Sequence, residues 1–106
     1  MKFVVEWTAR PGSDPKENLK GTDSPLQAFG SWTAPAEWTI SEFVTRVDGK
    51  GGLLICETDD LGSIDRAVAQ YLAWLDYEVT PVVDIGDGVG HLGAGSAWAR
   101  TAGGLD

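Results

Sequence analysis

The chain has 106 residues, 42% hydrophobic and 23% charged, which suits one soluble domain with a single core and excludes a disordered chain. With 16 acidic and 8 basic residues its net charge is -8, which disfavours nucleic acid and anionic membranes as partners. We expect a cytoplasmic protein, because no transmembrane run or cleavable leader is predicted and the single cysteine, Cys56, excludes an internal disulfide.

The first predicted element is a strand at residues 1–9 (MKFVVEWTA). Phe3, Val5 and Trp7 fall on one face of this strand, and the side chains between them fall on the other. A Pro-Gly pair follows closely, and both residues interrupt the pairing of a strand with its neighbours. We therefore expect the strand to end there.

A helix is predicted next, and its start has two candidates. Asp14-Pro15 could cap a first turn, but Gly21 interrupts a helix that begins there. Ser24-Pro25 is a stronger start, because a hydroxyl at the N-cap and proline in the first turn are both favoured. The sequence therefore predicts a helix from Ser24 that closes before Pro35.

Two strands joined by a short turn come after this helix. Residues 38–47 (WTISEFVTRV) and 53–58 (LLICET) are rich in β-branched and aromatic side chains, as strands are. The segment between them, DGKGG, is typical of a hairpin turn. We predict a β-hairpin here, with Cys56 as a small buried hydrophobic side chain in its second strand.

A second helix begins after this hairpin. Asp60 is the predicted N-cap, and its charge suits the helix dipole. Asp59, Asp60 and Asp65 are close enough in sequence to suggest a cation, but capping explains them and we predict no metal site. The apolar stripe of the helix consists of Leu61, Ile64, Val68, Tyr71, Leu72 and Leu75.

The last predicted strand, residues 77–85 (YEVTPVVDI), contains Pro81. Proline cannot donate to a neighbouring strand, so we expect this strand at a sheet edge. The order is then βαββαβ, which predicts an α+β, ferredoxin-like fold with a four-stranded antiparallel sheet over residues 1–85. Residues 86–106 are predicted to be a glycine-rich C-terminal tail with a possible short helix at 96–102.

Both faces of this sheet are predicted to be apolar. Val4, Leu54 and Val82 each lie on one face of their own strand, and their apolar neighbours along the chain lie on the other. In a sheet covered on one side only, apolar and polar residues alternate along each strand. Two helices cover one face only. Pairing of the open faces of two chains is the simplest way to cover the other, so we predict a homodimer.

Several segments together resemble the DUF3303 family: MKFVVEW, SWTAPAEWTI, RVDGKGG, ICETDD and YEVTPVVDI. The resemblance covers roughly residues 1–85 and contains no catalytic signature. It implies a dimeric α/β barrel of the ferredoxin-like group. The broader group includes cofactor-independent monooxygenases, isomerases, polyketide cyclases and haem enzymes, so its function comes to this chain by analogy alone.

Five tryptophans are many for so short a chain, and large aromatic side chains line a core, an interface or a pocket. We predict that a set of aromatic residues walls a pocket between sheet and helices, although core packing explains such residues equally well. Trp38 and Trp98 are expected at a dimer contact or on the surface. The predicted substrate-binding residues are Trp7, Trp32, Phe43, Trp74, Tyr77 and Asp84.

Two residues are candidates for proton transfer. Glu57 is in phase with Leu53 and Ile55; on a buried face its pKa would be raised, as a general acid or base requires. The alternative is that Glu57 faces solvent or pairs with Arg46. His91, the single histidine, lies in a glycine-rich segment and is either an acid–base group or an exposed side chain.

The string GVGHLG at residues 88–93 matches G-x-G-x-x-G, the dinucleotide fingerprint. That fingerprint also needs a following helix, a second parallel strand and an acid about 20 residues later, and the sequence after Gly93 is too short for them. Asp84 and Asp87 would also repel a pyrophosphate. We therefore predict no dinucleotide site and no cofactor.

Three functional hypotheses follow. The first is a dimer that binds a hydrophobic aromatic or polyketide-like molecule and catalyses cofactor-independent oxygenation, cyclisation or isomerisation, with Glu57 or His91 moving protons. The second is a non-catalytic homodimeric binding or assembly module. The third is a haem-dependent protein with His91 as the iron ligand.

Overall fold

Seven helices and strands follow one another in the computed structural model, which describes residues 1–10, 12 and 14–104. Their order agrees with the predicted βαββαβ arrangement, with one further helix at the end. The elements are β1 (Lys2–Ala9), α1 (Pro15–Gly30), β2 (Thr39–Thr45), β3 (Gly51–Glu57), α2 (Leu61–Tyr71), β4 (Leu75–Val82) and α3 (Ile85–Gly103).

The four strands form one antiparallel sheet in the order β2-β3-β1-β4, which confirms the ferredoxin-like α+β fold. β4 lies at an edge of the sheet, as Pro81 predicted. In the register, Val5 is opposite Leu54 of β3 and Val79 of β4, so these three side chains share one face.

The core lies on the face of the sheet that the helices cover. Its buried apolar residues come from three elements: Phe3 and Val5 of β1, Leu54 and Cys56 of β3, and Ile64 of α2. Cys56 is completely buried, as predicted for a small hydrophobic side chain. The core is small, so each of its side chains carries a large share of the burial that stabilises the fold.

The first helix begins earlier than predicted. Asp14 is the N-cap, and its side chain accepts a hydrogen bond from the Glu17 N–H at 2.9 Å. α1 then continues through Gly21 and Pro25 to Gly30. The predicted start at Ser24 was wrong, because the same signal, a polar cap followed by proline, occurs first at Asp14.

The second helix has the predicted cap. Asp60 accepts a hydrogen bond from the Ser63 N–H at 3.3 Å, and its other carboxylate oxygen lies 3.2 Å from the Arg66 guanidinium. The Ser63 hydroxyl donates to the Asp60 carbonyl at 2.6 Å. Through these contacts Asp60 caps the start of α2, which is the role predicted for it from the sequence.

Replacing Asp60 with alanine is expected to lower the free energy of unfolding by about 1 kcal/mol, because the Ser63 N–H in the first turn of α2 loses its side-chain acceptor. Urea denaturation followed by circular dichroism measures this change. Asp60→Asn keeps an acceptor oxygen and serves as the control, with a much smaller loss expected. Equal losses in the two variants would show that the charge of Asp60, and not its capping bond, stabilises the helix.

The C-terminal segment is a long helix and not a tail with a short helix. α3 runs from Ile85 to Gly103, with Asp84 at its N-cap and Asp87 in its first turn. It ends at Gly104, which is left-handed with φ 63°. The prediction gave the low helix propensity of glycine too much weight against these end signals. The GVGHLG string lies inside α3, not in a turn before a helix.

α3 projects away from the sheet. No residue of this helix is buried. The radius of gyration is 18.8 Å, whereas about 13 Å is usual for a compact chain of this length. The longest dimension is 61 Å, and a 19-residue helix contributes about 28 Å of length. Among the described residues, no helix combines the length and hydropathy that crossing a membrane requires.

Candidate functional site

A cavity of about 360 Å³ lies between the sheet and the two helices that cover it. Strand residues form its floor, α2 forms one wall, and α1 forms the other. Most of the lining is apolar or aromatic, as in small-molecule sites. The lining includes the side chains of Trp7, Leu26, Phe29, Trp32, Phe43, Tyr71 and Tyr77.

Phe43 of β2 is the centre of the aromatic wall. Its ring makes edge contacts with Trp7 at 5.8 Å, Phe29 at 5.9 Å and Trp32 at 6.1 Å between centroids. Phe29 and Trp32 are stacked at 6.0 Å. These distances fall in the range in which aromatic pairs attract each other, so each ring restricts the orientation of the next.

Two indole N–H groups at this site already have partners. Trp32 donates to the Gln70 side chain at 3.1 Å, and Trp38 donates to the Ser63 hydroxyl at 2.7 Å. Both bonds run to α2, so they fix the rings against that helix. The indoles therefore offer a ligand their apolar faces and not their N–H groups.

Tyr71, which lines the cavity, carries a polar group without a partner among the described residues. Its hydroxyl is buried and has no hydrogen-bond partner among the described residues. Burial raises the pKa of Tyr71. It also raises the pKa of Tyr77 to about 12, with a smaller contribution from Tyr71. Both phenols are therefore neutral near pH 7 and act as hydrogen-bond donors rather than bases.

The described lining residues include no carboxylate, amine, guanidinium, imidazole or thiol. The two tyrosines are its ionisable groups, and both are neutral. A charged ligand would lose its hydration here without gaining an opposite charge, which is costly. The cavity therefore favours a neutral molecule with an apolar body and few polar atoms.

α1 covers the cavity loosely. None of its residues is buried, and Leu26 and Phe29, which line the cavity, are 62% and 50% exposed. Pro25 removes one hydrogen bond from the helix at this place, because it has no N–H to donate to the Gly21 carbonyl. A ligand in the cavity would therefore bury apolar surface of α1 that the protein alone leaves in water.

The comparison with family models matches residues 1–96 to a domain of unknown function, DUF3303. The chain belongs to the DUF3303 family. The match covers the whole sheet and continues into α3, beyond the resemblance at residues 1–85, so the first part of the glycine-rich segment belongs to the DUF3303 domain. No curated protein matches the chain.

In this DUF3303 domain the structure brings together four of the five predicted aromatic residues: Trp7, Trp32, Phe43 and Tyr77 all line the cavity. Trp74 is not among the lining residues; its ring contacts that of Tyr71 at 6.1 Å. Trp38 was expected at a dimer contact or on the surface, but it lines the cavity and packs against the core. Trp98 is 73% exposed on α3.

The predicted proton-transfer residues do not line the cavity. Glu57 is exposed at the end of β3 on the opposite face of the sheet, 3.8 Å from the Lys2 amine and not paired with Arg46. His91 is exposed on α3.

Sequence reasoning missed Tyr71 and Phe29 as cavity residues. Tyr71 was assigned to the apolar stripe of α2, and Phe29 was not predicted to belong to a site. A signal was present for Tyr71, because a hydroxyl in an otherwise apolar stripe needs a partner when it is buried. Among the described residues, no cluster of three or more His, Cys, Asp or Glu side chains could hold a metal ion.

Asp84, the remaining predicted substrate-binding residue, lies outside the cavity. Its carboxylate accepts a hydrogen bond from the Lys2 amine at 2.6 Å, which joins the start of α3 to β1. This hydrogen bond and the Lys2 charge lower the pKa of Asp84. The same hydrogen bond and the negative charge of Asp84, with a smaller contribution from Glu57, raise the pKa of Lys2.

The ion pair between Lys2 and Asp84 predicts a small loss of stability at low pH. Because the pKa of Asp84 is lower in the folded chain, its contribution is present above the unfolded pKa and is lost as pH falls through the folded pKa. Melting temperatures of the wild type and Asp84→Asn should therefore converge as pH falls from about 7 to 2. Salt at about 1 M should reduce the difference at pH 7, because it screens exposed charges. A difference that is constant with pH would contradict this assignment.

Proposed function

We propose that this DUF3303 protein binds a small neutral molecule, aromatic or polyketide-like, in the cavity between its sheet and helices. The observation that carries the proposal is a cavity of about 360 Å³ with aromatic walls, lined in part by Tyr71, whose buried hydroxyl has no partner among the described residues. That volume falls within the usual range of about 300–1,000 Å³ for small-molecule sites.

The ligand is expected to carry an oxygen that accepts the Tyr71 hydrogen bond. A buried donor without an acceptor costs about 1–3 kcal/mol, so a ligand carbonyl or hydroxyl at this place removes a penalty. The aromatic walls favour a flat ring system, because the rings of Trp7 and Phe43 attract it beyond simple area burial. A ligand of the same shape without the oxygen should bind more weakly.

The first experiment is native mass spectrometry of the protein purified from its own host, which detects a retained small molecule. The identified molecule is then titrated into wild type, Tyr71→Phe and Trp98→Phe, with tryptophan fluorescence as the signal. Tyr71→Phe should weaken binding about tenfold, which corresponds to about 1.4 kcal/mol.

Trp98→Phe is the control, because Trp98 is an exposed aromatic residue outside the cavity. Its affinity should equal that of the wild type. If no molecule is retained, a set of flat aromatic ketones and phenols is titrated in its place. Failure of every probe, or equal affinity of Tyr71→Phe and the wild type, would contradict the proposal.

The same site supports a proposal of catalysis, of the cofactor-independent oxygenase, cyclase or isomerase type. A neutral tyrosine in an apolar cavity is a suitable donor to an oxygen on which negative charge develops. The base predicted from the sequence is Glu57 or His91, and both lie outside the cavity in the single chain. Loss of turnover in Glu57→Gln or His91→Ala, with ligand binding retained, would support that role.

We also propose that two chains pair through the open face of the sheet. Val4, Leu53, Ile55 and Val82 form an apolar centre on this face, and each is only half-buried. Pairing about a twofold axis would cover it in both chains. Val4→Asp should shift the sedimentation coefficient towards that of a single chain, whereas Thr8→Asp, at the rim of the same face, should have little effect.

A non-catalytic assembly module is the second candidate function, and the open face favours it. In that case Val4→Asp would abolish the biological activity, whereas Tyr71→Phe would not affect it. The reverse result favours the ligand-binding function.

A further inference from the structure

α3 is a helix that lacks a packing partner in the described chain. Ile85, Val89 and Leu92 lie on one face of it and are 83%, 57% and 75% exposed. Six glycines, at positions 86, 88, 90, 93, 95 and 103, lower its intrinsic stability. Because isolated helices are marginal even without glycine, α3 requires a surface to pack against.

A second cavity, a groove between α2 and β4, offers an apolar surface of matching type. It has a volume of about 330 Å³. Leu61 of α2 and Val79 of β4 line it and are 56% and 39% exposed, so the groove is uncovered in the single chain. The full lining is Phe3, Leu61, Ile64, Asp65, Val68, Val79 and Pro81.

We infer that α3 of a second copy of this chain occupies the groove between α2 and β4, so that two chains exchange their last helices. An apolar helix face in an apolar groove is a common recognition mode.

The connection before α3 favours exchange over folding back onto the same chain. Two residues, Val83 and Asp84, join β4 to α3, and Asp84 has an extended backbone with φ -62° and ψ 148°. The bond from Lys2 to Asp84 fixes this exit at 2.6 Å. Short connections that hold two elements apart favour the exchange of an element between chains.

Charge also favours a second copy as the occupant. Residues 1–84 carry 14 of the 16 acidic side chains and 7 of the 8 basic ones, so the groove lies in an acidic part of the chain. α3 carries one of each, Asp87 and Arg100, and no acidic residue between positions 88 and 104. It is therefore a part of the chain that can approach an acidic copy without repulsion, and Asp65 in the groove is a possible partner for Arg100.

The test is disulfide formation in the full chain. Leu92→Cys is combined in turn with Leu61→Cys and with Val79→Cys, and each protein is mildly oxidised and run on a non-reducing gel. A covalent dimer in at least one pair is the expected result. Ala94→Cys with Val79→Cys is the matched control, since Ala94 lies on the opposite side of α3, and each single-cysteine variant controls for random pairing.

A crosslink within one chain would overturn the exchange and show that α3 folds back onto its own groove. The absence of any crosslink above the Ala94 control would overturn the groove itself as the site. Cys56 is completely buried and stays in all variants.

A second measurement keeps the inference testable if the cysteine pairs do not match in register. Leu92→Asp should raise the dimer dissociation constant about tenfold or more, and Ala94→Asp should change it less than about twofold. The two variants place the same charge on the same helix, so an equal effect of both would overturn the inference. Val4→Asp changes the open-face contact of the same dimer, so the comparison of Leu92→Asp with Ala94→Asp, and not Val4→Asp, tests the groove.

Discussion

Replacing Leu54 with alanine is expected to lower the free energy of unfolding by about 2–5 kcal/mol. Leu54 is 4% exposed and lies opposite Val5 in β1 and Phe43 in β2. Its removal leaves a void where the two strand pairs meet the helices, which the backbone of a sheet cannot close. Domains have about 5–15 kcal/mol of stability in total, so the variant should be close to unfolding at 37 °C.

Urea denaturation of wild type and Leu54→Ala measures this loss. Leu19→Ala is the matched control, because Leu19 is 61% exposed on α1 and the chemical change is identical. It should alter the free energy of unfolding by less than about 0.5 kcal/mol. Similar losses in both variants would mean that the core does not lie where the structure places it.

Replacing Gly52 with alanine is expected to lower the free energy of unfolding by about 1–3 kcal/mol. A Cβ at this position would meet the backbone oxygen of Val44 and the ring of Trp7, both at distances that real contacts do not show. The ring can turn away, but the carbonyl belongs to the neighbouring strand and cannot move without loss of pairing. The variant should therefore lose stability and disturb the aromatic wall together.

Thermal unfolding measures the first effect, and the emission spectrum of the tryptophans measures the second. Gly30→Ala is the control, since a Cβ there meets nothing within 4 Å and the residue lies at the end of α1. It should be neutral or slightly stabilising, because alanine is the better helix former. If Gly52→Ala melts at the same temperature as the wild type, β3 does not pack against Trp7 as described.

The proposals differ in what would disprove them. Ligand binding depends on Tyr71 and the aromatic wall, whereas helix exchange depends on Leu92 and the groove between α2 and β4. Loss of one therefore leaves the other standing. A chain that binds its ligand as a monomer would keep the first proposal and end the second.

Local pattern was enough to predict most of the sheet. The alternation of Phe3, Val5 and Trp7, the Asp-Gly turn after β2 and the Asp60 cap each report on residues close in sequence. Pro81 likewise predicted β4 at an edge, because a proline has no N–H to donate to a neighbouring strand in any fold. Fold order follows from such signals because each depends on a few neighbouring residues.

The predicted bounds of α1 and α3 were wrong because local helix propensity was given too much weight. A proline or glycine lowers helix propensity by about 1–3 kcal/mol per residue, which is decisive in a short isolated peptide. In α1 the Asp14 cap outweighs Gly21 and Pro25, and in α3 Asp84 and Gly104 mark ends that the sequence between them does not suggest. Gly51 and Gly52 were likewise assigned to the turn, but they are the first residues of β3.

The sequence by itself determined the fold class, the strand order along the chain and an excess of aromatic residues on one face. Tertiary structure alone decided which of those residues surround a cavity, that Trp74 is not among its lining residues, and that the Tyr71 hydroxyl is buried without a partner among the described residues. The physical reason is the distance along the chain over which each signal acts. Periodicity fixes the face on which a side chain lies, but its neighbours across a sheet and under a helix depend on how distant segments pack, which no local pattern contains.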